Sequence, residues 1–142
     1  MAEKAGLSLS VDGEAEFKKA LQQIGANLKV VNSELGLVSS SFDSNKKSVK
    51  GLSATNSVLN KQIDEQAKKV SVLEKALENA KREYGEDSVK TKNWEEQLNR
   101  ANAELNKQKQ QLDSNKRSIE DYGRSQIAAA KNSEAFKTAQ EK

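Results

Sequence analysis

The sequence predicts an all-α fold, an elongated helical coiled coil with a short N-terminal β-strand. Three observations carry that prediction. Apolar residues recur in alternating steps of four and three from Phe17 to Tyr122, the period of helices that bury a seam against other helices. The 142 residues include no proline and 32% are charged, so nothing interrupts a helix and its outer faces are solvated. Leu, Ile, Val and Phe number only 29, and aromatics are 4%, too few for a compact globule of ordinary composition. A net charge of +3 is too small to hold the chain open by self-repulsion.

The first element, residues 1–13, differs from all that follows. Leu7, Leu9 and Val11 alternate with Ser8, Ser10 and Asp12, the period-2 pattern of a half-buried strand, and Asp12-Gly13 closes it as a turn. A lone strand leaves its backbone unpaired, so Leu7, Leu9 and Val11 are expected to dock on a partner's sheet edge or on another copy. A first helix follows over 14–40, a second over 41–84 and a third over 85–123. Residues 124–142 read as a polar tail, helical or frayed, that is expected to continue in a longer parent chain. The joints carry cap chemistry: Ser39 to Asn45 is a run of turn and N-cap residues, and Tyr84-Gly85-Glu86-Asp87-Ser88 pairs a Gly C-cap with Asp or Ser N-caps.

The seam itself is specific. With Leu21 at heptad position a and Phe17 at d, 19 of the 24 Leu, Ile, Val and Phe residues between 17 and 122 fall on the seam, where random placement gives roughly seven. Its a positions include Leu21, Leu28, Leu35, Val49, Asn56, Ile63, Val70, Leu77, Leu98, Leu105, Leu112 and Ile119. Asn45, Asn56, Gln66, Asp87, Thr91, Gln108 and Asn115 interrupt it. Asn56 is the best placed of these to fix register, the role of a buried Asn at position a.

Two architectures fit. The register passes both joints in phase, Phe42 to Val49 and Tyr84 to Thr91, and the octapeptide 42–49 recurs seventy residues later at 112–119. Both favour a continuous or gently hinged rod of about 160 Å. The similar lengths of the second and third helices suit an antiparallel helical hairpin instead. A single helix cannot hide its own seam, so a homo-oligomer formed through the seam is expected.

Reactive chemistry is thinly supplied. No His and no Cys excludes imidazole bases, thiol nucleophiles, common zinc sites and disulfides. The pairs Asp64-Glu65, Glu86-Asp87, Glu95-Glu96 and Glu120-Asp121 are sequence neighbours, so on a helix they diverge by about 100° rather than converge on a substrate. Their expected role is a solvated face, and neither an enzyme nor a cofactor is expected. Residues 44–82 hold nine basic and four acidic side chains, yet no aromatics interleave for base stacking, so nucleic acid is unlikely as a specific ligand. Trp94 sits on the seam and reads as core. No stretch approaches membrane-spanning length, and the start lacks the apolar core of a signal peptide.

The opening Leu7 to Glu14, followed by Phe17-Lys18-Lys19-Ala20-Leu21, resembles the start of tail tape measure proteins of long-tailed, siphovirus-type phages and prophages of Gram-positive bacteria. Leu28 to Leu35 leading into Phe42-Asp43-Ser44-Asn45, Leu59 to Ile63, and Tyr84 to Ser88 running on to Trp94 resemble the coiled-coil N-terminal region of the same family. The resemblance implies a structural protein of the virion, made in the host bacterial cytoplasm, around which the tail tube polymerises. Its length would set tail length, and it would leave the tube ahead of the DNA. Tail tube and other tail assembly proteins would be its partners. Family members run to many hundreds of residues, so this chain reads as an N-terminal fragment or an unusually short member. A bacterial coiled-coil adaptor and a DNA-guiding coiled coil are the alternatives.

Overall fold

A computed structural model describes residues 13–42 and 48–141, with side chains through residue 125. The described residues form helices α1 (Glu14–Ser41), α2 (Val49–Tyr84) and α3 (Val89–Glu141), and no strand. The fold is therefore all-α over these residues. Leu7, Leu9 and Val11, with the strand expected there, lie outside them.

Local chemistry sets where the helices start and stop. Gly13 enters α1 in an extended conformation, and Glu14 and Glu16 place negative charge in the first turn, where the helix dipole favours it. Ser48 caps α2 by accepting the Gly51 N–H at 3.0 Å. Gly85 ends α2 at φ 86°, ψ 159°, a region essentially closed to residues that carry a Cβ. Its N–H still donates to the Lys81 carbonyl at 3.0 Å. Ser88 then caps α3, accepting the Thr91 N–H at 3.1 Å, while the Thr91 hydroxyl donates 2.7 Å back to the Gly85 carbonyl. Thr91 is 2% exposed, so this turn is closed by a buried side chain.

The chain doubles back at both joints. The Asn27 amide reaches Glu65, the Gln62 amide reaches Asn32, and Lys61 pairs with Glu34; the falling partner numbers make α1 and α2 antiparallel. Asn56 meets Asn115, and Gln66 meets the Ala101 carbonyl, so α2 and α3 are antiparallel as well. The in-phase register reads as a rod, but Gly85 turns the described helices back. The hairpin alternative describes α2 and α3, with α1 packed along α2 as a third helix. Their lengths differ: α3 has 53 residues and α2 has 36. With Asn56 beside Asn115, roughly 20 residues of α3 extend past the start of α2, about 30 Å of helix. Gly123 does not stop α3, since a single interior glycine costs only about 1 kcal/mol and the turn lacks the cap groups found at Gly85.

The core is densest near the Gly85 turn. Phe17, Val70, Leu73, Ala76, Ala80, Trp94, Ala101 and Leu105 form one buried cluster, with Leu21, Ile63, Val72, Leu77 and Leu98 packed against it. Phe17 meets Trp94 edge to face, with centroids 6.3 Å apart and planes at 71°, a geometry the ring quadrupoles favour. Lys90 ties the same end together. Its ammonium lies 4.5 Å from the Tyr84 ring centroid and 3.5 Å from the Glu14 carboxylate.

Candidate association surface

The heptad seam lies inside one chain in this structure. Val70, Leu105, Leu112 and Asn56 are buried, while Leu21, Leu28, Leu35, Val49, Ile63, Leu77, Leu98 and Ile119 are half-buried. Every buried residue of α1 and every buried residue of α3 through residue 125 falls on the heptad frame. On α2 the exceptions are Gly51, Val58 and Ala76.

Those exceptions mark a second stripe. Gly51, Thr55, Val58, Gln62, Glu65, Lys69, Val72, Ala76 and Asn79 follow the same four-three spacing, and each is buried or half-buried. This stripe carries the links to Asn27 and Asn32 on α1. Its mixed composition hides it from a search for apolar periodicity. The signal that could have exposed it is small residues, Gly51, Ala76 and Val58, recurring on one heptad-spaced line beside the seam. Such residues let a second helix approach α2 closely.

Polar layers divide the α2–α3 interior. The Asn115 amide donates to the Asn56 side-chain oxygen at 2.9 Å, with both residues buried. Gln66, 3% exposed, donates to the Ala101 carbonyl at 3.0 Å. Gln108 is also buried, and its Oε1 has no hydrogen-bond partner among the described residues. Satisfied layers fix which residues face one another, while an unsatisfied one weakens the interior by about 1–3 kcal/mol. Glu65 titrates below the ordinary carboxylate range. Its hydrogen bond from Lys68 is the largest cause, and the Asn27 amide adds to it against partial desolvation. Lys90 is shifted upward by its contact with the Tyr84 hydroxyl and by the Glu14 charge.

The candidate reactive groups remain dispersed. Glu86, Asp87, Glu95, Glu96, Glu120 and Asp121 are all exposed, and no cluster of metal-ligating side chains occurs among the described residues. Trp94 is 5% exposed and packs on Phe17. A cleft of about 520 Å³ opens beside it between α1 and α3, lined by Glu14, Lys18, Leu21, Lys90 and Gln97. Lys50, Lys68, Lys81, Arg82, Lys116 and Arg117 point to solvent, while Lys46 and Lys47 lie outside the described residues. No described helix is long and apolar enough to cross a membrane.

What the described side chains build is an interior between helices, with the heptad seam enclosed in one chain. Comparison with known proteins gives no family model, curated protein or solved structure that matches the chain.

Proposed function

We propose that this chain is the N-terminal region of a phage tail tape measure protein, a structural scaffold and length ruler for tail tube assembly. The observation that carries the reading is a single heptad phase held from Phe17 to Tyr122 without proline. In the ruler reading the helices that fold back on one another here run on end to end inside the tube, and each residue of the chain then adds about 1.5 Å, so residue count converts to distance. Its mixed surface charge, 24 basic against 21 acidic residues, suits a rod that must leave a tube without adhering to the wall. The opening Leu7 to Leu21 and the Tyr84-Gly85 joint add the resemblance to that family. In this reading the chain sits in the virion tail, contacts tube and other tail proteins, and associates with further copies through seam residues.

The test removes residues 63–76 from the parent phage gene, and tail lengths are measured by electron microscopy. Loss of 14 helical residues shortens every tail by about 21 Å if the segment is gauge. Tails of unchanged length would reject the gauge for this segment. Purified tails that never contain the chain, by mass spectrometry, would reject the tail assignment altogether.

A further inference from the structure

Apart from Gly51, Val58 and Ala76 on the second stripe, the buried residues of α2 and those of α3 through residue 125 share one heptad frame across the turn that separates them. Counting by fours and threes from Leu73 through Leu77 and Ala80 reaches Tyr84, Asp87, Thr91 and Trp94 without a skipped residue. A hairpin does not require this. Each antiparallel helix turns its own stripe inward, and the number of residues between the stripes follows the turn rather than a multiple of seven. An uninterrupted helix does require it. The frame also runs through Tyr84, which the hairpin leaves 46% exposed.

What holds the turn against straightening is local: the Gly85 backbone, the Ser88 and Thr91 cap bonds and the Lys90 contact with Tyr84. The departure from helix rests on Gly85 at φ 86°, and no atom lies within 4 Å of the place a Cβ would occupy. At residue 85 itself the turn therefore depends on glycine's backbone freedom and not on a close contact where a Cβ would sit. Glu86, Asp87 and Ser88 follow, none of them a strong helix breaker.

We infer that this chain exchanges α3 with a second copy of itself. Gly85–Ser88 becomes helical, α2 and α3 join into one helix of about 140 Å, and two such helices run antiparallel. The α2 of each copy then packs on the α3 of the other. A second copy is the occupant because it alone repeats the polar layers: Asn56 again meets Asn115, and Gln66 again meets the carbonyl of residue 101. The exchange keeps the α2–α3 layers, gives up the Ser88 and Thr91 cap bonds and the Lys90–Tyr84 contact, and covers Tyr84 at the two-fold axis. Asp87 also comes onto the seam there, and its charge favours the hairpin. This inference does not rest on the tail assignment.

The chain has no cysteine, so engineered thiols report without background. Two full-length copies of different tag size, one Asn56→Cys and one Asn115→Cys, are refolded together and oxidised. A mixed interchain disulfide is expected, rising severalfold when both copies also carry Gly85→Ala. One Ala inserted after Glu86 lengthens the turn but rotates α3 by about 100° in a continuous helix. It should abolish the interchain product while a single chain carrying both cysteines still closes on itself. The inference is overturned if Gly85→Ala gives only intrachain closure, or if the insertion leaves the interchain yield unchanged. Light scattering on cysteine-free chains tests it independently of the thiols. A dimer mass is expected for Gly85→Ala and a monomer mass once the insertion is added; monomers for both overturn it.

Discussion

Asn56 and Asn115 share one buried hydrogen bond at 2.9 Å, and the bond matters most through what its loss would leave behind. Asn56→Leu strands the Asn115 amide in an apolar layer, and we expect it to cost about 1–3 kcal/mol. The double variant, Asn56→Leu with Asn115→Leu, removes both polar groups and should recover most of that loss, as a denaturant double-mutant cycle would show. Leu73 is wholly buried with no polar atom to satisfy, so Leu73→Ala should cost about 2–5 kcal/mol in the same assay. Glu65 adds a pH dependence. Its folded-state pKa is depressed by Lys68 and Asn27, so its contribution is complete above the ordinary glutamate pKa and is lost as pH falls through the lower folded value. Thermal melts across the acidic range should therefore show a slope that Glu65→Gln flattens. An equal slope in both proteins would count against the Lys68 and Asn27 bonds to Glu65 taken together.

At the scale of the element, α1 holds to α2 through the mixed stripe and not through the apolar seam alone. Ala76 is 1% exposed on that stripe. Ala76→Leu adds volume on the buried stripe that carries the α1 links, and overpacking of this kind costs about 1–3 kcal/mol. The loss should fall on α1: amides of 14–41 should exchange faster while those near Leu105 keep their protection. Loss of protection across all three helices alike would mean that they open as one unit. The same contrast explains what can be read before the fold is known. Phe17, Leu73, Trp94 and Leu112 stand out because a seam that excludes water must be apolar, and apolar spacing is visible in a bare sequence. Gln62, Glu65 and Lys69 do not, because polar residues that pair across a helix contact look the same in sequence as polar residues in water. Tyr84-Gly85 announces a joint, but an in-phase register is compatible with either direction of travel. The reversal became visible only with the positive φ of Gly85 and the Thr91 bond that closes the turn.

For the whole molecule, matched layers tie stability to the relative lengths of α2 and α3. Removing the heptad 63–69 alone keeps the frame and the contacts nearest Gly85. Beyond the cut, however, every residue of α2 slides seven positions against α3, so Asn56 comes to face Gln108 and leaves Asn115 opposite other neighbours. Removing 102–108 as well shortens both arms equally and restores Asn56 to Asn115. It also takes out the unpartnered Gln108 oxygen. Both variants lose the same α2 residues that face α1, and both keep the Phe17–Trp94 and Glu14–Lys90 contacts of α1 with α3. The larger deletion is therefore expected to be the more stable protein, against the usual trend in which a smaller interior buries less surface. Urea midpoints for the two variants, followed by circular dichroism, decide it. A matched deletion that unfolds no later than the single one would mean that the layers do not fix the pairing, and that α2 and α3 tolerate slippage by a heptad.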